Sequence, residues 1–234
     1  MITSIIFVHW AQNEERSDTM QKSIISLIAT TRHLPVEIIV VDNGGSLEDS
    51  AFLLDLVHQK QIQFYLRNSE NLYFGYARNK GVDLSCGDYL VFSDNDIDYQ
   101  PGWLDKGLSL LEANREKKIA FTPLKTDRQH RNEKCWRGEL EHEGVKHLCN
   151  IRAGSNSWLI RRDYFEDIGR FKNHQIAGSI WADAFTNKGY VMVTMEKDSL
   201  AQDIGFTRGY NFKLKPDLFK VFANGEKIDI YEPR

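Results

Sequence analysis

The chain has 234 residues, 41% of them apolar, which is enough to bury the core of one large domain and too apolar for a disordered chain. Its formal charge of −3 argues against a general binder of nucleic acid or of anionic membrane, both of which favour basic surfaces. Three cysteines, Cys86, Cys135 and Cys149, are too few and too scattered for a disulfide framework or a zinc site, and they read as reduced thiols of a cytoplasmic protein.

The opening run Ile5-Ile6-Phe7-Val8 lacks a basic start and is too short for a signal peptide, so residues 2–9 read as a first, buried strand. No apolar run approaches the length of a transmembrane segment. Met20, Ile24, Leu27, Ile28 and Thr31 recur at helical spacing over 18–31, with Ser17 or Asp18 as the cap. Glu37 to Val41 is a second strand. Ser46-Leu47-Glu48-Asp49 opens a helix that carries Phe52, Leu53, Leu56 and Val57. Ile62 to Leu66 is a third strand, a helix follows over about 73–85, and Tyr89 to Phe92 is the fourth. Pro101 sits in the first turn of a helix that reaches about residue 114.

The second half is less regular. Ile119 to Pro123 reads as a strand, and the polar stretch 125–147, with Trp136 its one large anchor, reads as a long excursion or lid. A strand at 157–161, a short helix at 163–168, a helix at 176–188 and a strand at 190–195 follow, with a partly aromatic and basic tail from 206. Strands alternating with helices, each strand nearly continuous in apolar residues, imply an α/β domain with a mostly parallel sheet covered on both faces. Such sheets bind ligands beyond the carboxyl ends of their strands. Asp42 and Asp94 both fall there.

The segment Ser93-Asp94-Asn95-Asp96-Ile97 is the most informative in the chain. Two carboxylates one residue apart, just past a buried strand, repel one another and resist burial. A divalent cation resolves that conflict, and oxygen ligands suit Mg2+ or Mn2+ shared with substrate phosphates. A turn stabilised by local Asp and Asn hydrogen bonds is the plainer alternative. Asp42 opens the turn Asp42-Asn43-Gly44-Gly45-Ser46, where a carboxylate can meet a base edge or a ribose hydroxyl. In the block Asn68 to Gly81, Arg78 and Lys80 lie early on a helix and would neutralise a diphosphate, unless they form an ordinary solvated face.

Four blocks in order resemble the nucleotide-sugar glycosyltransferases of the GT-A fold, most closely the large family 2 group. They are Ile39 to Gly44, Asn71 to Gly81, Leu90 to Leu104, and Gly154 to Phe171 with Trp158, Arg161, Arg162, Phe165, Gly169 and Phe171. The likeness covers roughly residues 2–195. It implies one GT-A domain over 1–234, with 1–104 the nucleotide-sugar half, 105–205 the acceptor half and 206–234 a tail. It also implies transfer of a sugar from a nucleoside diphosphate sugar, a UDP-sugar foremost, to a saccharide, lipid-linked or peptide acceptor.

Role by role, the resemblance places Trp10, Asp42, Asn71, Arg78, Asp94 and Asn95 at the donor, with Asp42 at the base and Asp94 at the ribose or the metal shell. Trp10 would stack on the base or pack in the core. Asp96 would hold the metal, Mn2+ or Mg2+, with Asp94 beside it. Asp203, in the loop Ala201-Gln202-Asp203-Ile204-Gly205, would add a ligand or be a plain turn residue.

The Glu-Asp pair that supplies the base in inverting members has no counterpart near Ala177-Gly178. Asp183, His174 and a mechanism without a protein base remain as alternatives. The missing pair also leaves open a catalytically silent sugar-nucleotide-binding or assembly protein. A nucleotidyltransferase is less well supported, since no glycine-rich triphosphate loop follows the first strand.

Overall fold

A computed structural model describes residues 1–11, 13–124, 136–150, 157–173, 177–195 and 199–207. Four strands near the N-terminus, β1 (Thr3–His9), β2 (Val36–Asp42), β3 (Phe64–Arg67) and β4 (Tyr89–Ser93), run parallel in the order β3-β2-β1-β4. The sheet continues through β9 (Ser157–Arg161), β6 (Ile119–Thr122), β10 (Val191–Met195), β8 (Val145–Asn150) and β7 (Trp136–His142). A separate ribbon pairs β5 (Ile97–Tyr99) with β11 (Ala201–Asp203).

Residues 5 to 8 show why these strands read as unbroken apolar runs. Ile5 and Phe7 join one core, with Val91, Phe121 and Val193, while Ile6 and Val8 join the other, with Leu90, Phe92 and Trp158. Side chains alternate across a strand, so a strand covered on both faces must be apolar at every position. Helices α1 (Glu14–Thr31), α2 (Leu47–His58) and α4 (Trp103–Ala113) cover the first face. Helices α3 (Tyr73–Leu84), α5 (Arg162–Ile168) and α6 (Ala177–Asn187) cover the second, and a short α7 (Ile204–Thr207) follows β11.

The sheet is more mixed than the strand–helix alternation implies. Among the described residues β10 pairs in parallel with β6, but β9 is antiparallel to both β4 and β6, and β8 is antiparallel to β10 and β7. The cause is the stretch expected as an excursion. Residues 136–150 form a β-hairpin on the sheet edge, with Glu139, Glu141 and Lys146 exposed and Leu148 buried. Among the described residues no helix lies between β6 and β9, and β9 runs antiparallel to both of its neighbours. The one large anchor expected there, Trp136, opens β7.

Helix starts follow local chemistry. α1 begins four residues earlier than the spacing suggests, because Asn13 caps it by accepting from the Arg16 amide at 3.1 Å. Ser46 caps α2 as expected, accepting from the Asp49 amide at 3.0 Å. α4 starts at Trp103, after Gly102 turns the chain at φ 82°. Among the described residues no helix is long and apolar enough to cross a membrane.

Candidate functional site

The carboxyl ends of β1, β2 and β4 lie side by side: His9 is in register with Asp42, and Phe7 with Ser93. Trp10, Asp42, Asp94 and Asn95 end or directly follow these strands, Asn71 bonds Asn43 beside them, and Arg78 bonds Asp94.

Asp94-Asn95-Asp96 forms the turn between β4 and β5. Asp94 accepts from Arg78 Nη2 at 2.7 Å. That arginine is buried, only 1% exposed, with its guanidinium 4.8 Å from the Phe74 ring centroid, 5.4 Å from Phe171, 5.7 Å from Trp158 and 5.8 Å from Phe92. A planar, weakly hydrated cation tolerates such a cage, in which ring faces replace water. The sequence reading gave Arg78 to the diphosphate; the described geometry places one of its nitrogens on Asp94. Arg78 reaches the site through Asp94, because the rings of α3, β4, β9 and the Phe171 turn enclose its head.

Asp203 lies 109 positions after Asp94 in the chain, yet β11 brings it alongside. Asp203 pairs with Ile97, and the Ile204 amide donates to the Asp96 carbonyl at 2.8 Å. Gly205 leaves room for the Asp96 side chain, since a Cβ there would collide with its carboxylate. Two acids of one turn and a third at the end of β11 thus feel one another's charge. Burial, followed by repulsion from Asp94 and Asp203, pushes the Asp96 carboxyl up to about 8, with Arg16 opposing. Burial also pushes Asp94 up, against the pull of Arg78.

These residues fit a hard divalent cation. Their donors are all oxygen, and Asp96 Oδ1 is a buried atom without a hydrogen-bond partner among the described residues. Also among the described residues, no three His, Cys, Asp or Glu side chains already close a metal cage. An ion here would take its remaining ligands from water and phosphate, as Mg2+ commonly does.

The base side is built differently. Asp42 is fully buried, and its oxygens accept from the Gly45 amide at 2.7 Å, Ser50 Oγ at 2.8 Å and Tyr65 Oη at 2.7 Å, with Arg67 Nη1 at 3.6 Å. It therefore holds the β2–α2 turn together, and a base edge would reach it only by displacing one of these donors. The neighbouring Asn43 carries the contact onward: its Oδ1 accepts from the Leu72 amide and Asn68 Nδ2, and its Nδ2 donates to Asn71 Oδ1 at 2.8 Å. Asn71 in turn accepts from the amide of Tyr73, which sits at φ 64° and is partly exposed at the entrance of α3. Left-handed backbone at a bulky aromatic residue costs roughly 1–3 kcal/mol and collects at functional sites.

Trp10 is half-buried at the end of β1, with the Arg16 guanidinium 5.5 Å above its ring. One face of the ring thus carries a cation. Asn95, between the two acids, donates its side-chain amide to the Trp10 carbonyl at 3.1 Å and to His9 Nδ1 at 3.2 Å. His9 and Asp49 were not singled out for a hydrogen-bonding role by the sequence reading. Their partners lie 40 and 86 positions from His9, and a histidine ending an apolar strand carries no periodic signal.

The proposed base fares worst. Asp183 lies six residues into α6, on the exposed side, while Ala177, Gly178, Trp181 and Phe185 make the buried stripe. Position 183 is about 200° around the helix from Trp181, at roughly 100° per residue. The side chain therefore faces away from the helix's buried stripe, and no described contact links it to the Asp94–Asp96 turn. His174 and the stretch 154–156 that opens the fourth sequence block lie outside the described residues.

Residues 8–169 match the sequence profile described as glycosyl transferase family 2. A glucosyl-dolichyl phosphate glucuronosyltransferase of Haloferax volcanii is 27% identical over 166 residues, 67% of this chain and 52% of that one. Among solved structures, the mannosyltransferase PcManGT from Pyrobaculum calidifontis, in complex with GDP-Man and Mn2+, superposes with a TM-score of 0.69 at 16% identity, covering 95% of this chain and 63% of its own. GalNAc-T7 with UDP, GalNAc and Mn2+ gives 0.65 at 13% identity, covering 82% and 42%. The chain spans about half the length of the curated relative, and the two structural likenesses show a shared fold, the GT-A fold. The profile match takes in the ends of β1, β2 and β4 and the Asp94–Asp96 turn, and the chain belongs to glycosyl transferase family 2.

Proposed function

We propose that the chain transfers a glycosyl group from a nucleoside diphosphate sugar to a nucleophile on an acceptor, with Mn2+ or Mg2+ held by Asp94, Asp96 and Asp203. The observation that carries this reading is the convergence of three carboxylates, from two distant parts of the chain, around a buried Asp96 oxygen that lacks a partner. The Mn2+ and nucleotide-sugar complexes of the two superposed structures support it. UDP- and GDP-sugars are accordingly the first donors to try.

In the transfer an acceptor hydroxyl oxygen bonds to the anomeric carbon, the bond from that carbon to the diphosphate oxygen breaks, the nucleoside diphosphate leaves with the electron pair, and the hydroxyl proton passes to the departing diphosphate or to solvent. A bound divalent cation would act as a Lewis acid toward the charge on that leaving group. The chain's own residues do the placing. Arg78 fixes Asp94, and Asn95 ties the turn to β1. The Asn43–Asn71 network sets the α3 entrance beside the nucleotide, while Trp10 and Arg16 line the base side. Asp42 supports that wall from beneath.

One observation favours a second reading, a sugar-nucleotide binder without turnover: no acid on the described part of α6 faces the Asp94–Asp96 turn. A thermal-shift screen of UDP- and GDP-sugars with and without Mn2+, followed by an assay of donor hydrolysis, separates the two. A donor at a hundred times its dissociation constant adds roughly 2.7 kcal/mol of stability. Metal-dependent stabilisation with slow release of free sugar supports the transferase. Stabilisation without turnover supports the binder. If no donor stabilises the protein with Mn2+, both readings fail.

A further inference from the structure

We infer that His9 is a positioning residue for the metal-binding turn, linking it to the first turn of α2. The inference rests on the proposed function of that turn. The imidazole is fully buried, with Nε2 3.1 Å from Asp49 Oδ2 and Nδ1 3.2 Å from Asn95 Nδ2. Asp49 Oδ2 also accepts from Ser17 Oγ at 3.0 Å.

The directions along this chain are fixed by its ends. The Trp10 carbonyl can only accept, so the Asn95 group that faces it is the amide nitrogen, a donor. That same nitrogen faces His9 Nδ1, which must therefore accept. The proton of the neutral ring then sits on Nε2 and points at the Asp49 carboxylate, which can only accept. Every hop is matched for one tautomer of His9. An isoleucine or valine in its place, continuing the run of β1, would strand a buried carboxylate and release the Asn95 amide.

The site is also shaped to hold this ring. A Cβ on Gly45 would fall 2.5 Å from His9 Nε2 and 3.0 Å from Asp42 Oδ1, so the β2–α2 turn passes directly over the imidazole. Asp49 is 1% exposed, and hydrogen bonds from His9 and Ser17 outweigh the upward push of burial to hold its carboxyl below the usual range. α1, through Ser17, α2, through Asp49, and β1 are thus joined to the one residue that lies between the two turn acids. Partners behind a metal-binding shell orient it, and their loss commonly costs ten- to a hundredfold in metal affinity.

The test titrates Mn2+ in the presence of UDP, and in parallel GDP, reading intrinsic tryptophan fluorescence. Thermal unfolding is measured on the same samples without metal. His9→Gln keeps a donor near the Nε2 position but no acceptor at Nδ1. His9→Asn offers an acceptor oxygen near Nδ1 and leaves Asp49 unserved. The expected result is a rise of about tenfold in the Mn2+ concentration for half-saturation in His9→Gln, with His9→Asn recovering most of it despite a similar loss of Tm. Asn95→Ala should show the same rise, and combining it with His9→Gln should add little further.

If His9→Gln and His9→Asn lose Tm alike and both leave the Mn2+ midpoint unchanged, His9 is structural only and the inference is overturned. If His9→Gln does not fold, Asn95→Ala against Asp49→Asn makes the same comparison, and an unshifted midpoint in both overturns it. A wild-type protein that shows no Mn2+ response with either nucleotide refutes the metal reading of the turn itself.

Discussion

Asp96→Asn should stabilise the metal-free protein while destroying its response to metal. The carboxyl ordinarily titrates at 3.8 and is pushed to about 8 in the fold by burial and by its two acidic neighbours. A raised carboxyl favours its neutral form when folded. Its contribution is therefore harmless below pH 3.8, and stability is lost progressively as pH climbs from there to about 8. At pH 7 the full linkage would cost about 4 kcal/mol, at 1.36 kcal/mol for each pH step above the ordinary value. Partial exposure of the turn and ionic screening bring the expected cost to about 1–2 kcal/mol. Asparagine carries no charge and escapes this cost. Urea denaturation in EDTA should show Asp96→Asn more stable than wild type by that margin at pH 7.5, with the gap closing toward pH 4.5. Added Mn2+ with UDP or GDP should reverse the ranking. A variant less stable than wild type in EDTA at pH 7.5 would refute the account of three repelling acids, and a variant still stabilised by Mn2+ and nucleotide would refute Asp96 as a ligand.

Asp42→Ala removes the acceptor for Ser50, Tyr65 and the Gly45 amide, so it should cost about 2–4 kcal/mol in urea and weaken UDP or GDP binding whatever sugar is attached; unchanged stability would mean that the buried network is not formed. Arg78→Met should lower stability by about 3 kcal/mol, since one partner of an ion pair is left alone, and should raise the Mn2+ midpoint through Asp94; a lowered diphosphate affinity with an unchanged Mn2+ midpoint would restore the direct phosphate contact. Asp183→Asn should leave donor affinity and transfer rate as they are, measured by product release under saturating donor; a hundredfold fall in rate would return Asp183 to the role of base.

Strands were legible because their neighbours in space impose an unambiguous pattern. The centres of β1, β2 and β4, residues 5–8, 38–41 and 89–92, are apolar at every position since both faces are covered, and the acids at the ends of β2 and β4 stand out against that background. The hairpin of residues 136–150 was not legible, because an edge strand has one wet side and Glu139, Glu141 and Lys146 mimic a loop. Asn13 was passed over as a cap because the apolar spacing of α1 begins a turn later than its first hydrogen bond. Arg78 illustrates a deeper limit. A cation near a helix start reads as a phosphate ligand in one dimension, and only the four rings gathered from α3, β4, β9 and the Phe171 turn show that it is enclosed. Asp203 was found through the family resemblance alone, since the β5–β11 pairing that delivers it has no signature in three residues of each strand.

The site is asymmetric in a way that its chemistry can use. Asp94 has an internal cation at 2.7 Å, while Asp96 has a buried oxygen with no partner among the described residues and only the more distant Arg16 opposing its neighbours. A fold that needed only stability would have paired both acids or removed one, because a buried carboxylate among carboxylates is costly. Arg78 is buried among four rings and bonds Asp94 through Nη2, so at least part of its charge is spent on that acid. The remaining deficit of positive charge sits at Asp96 and Asp203, on the open side of the turn. On the proposed reading, a small divalent cation arriving with a diphosphate would cancel that deficit and bring its own additional oxygen ligands, whereas a lysine or arginine in the fold would cancel it permanently. The mutual repulsion of these acids has an energetic cost in the metal-free protein, and that cost is the quantity the Asp96→Asn experiment measures.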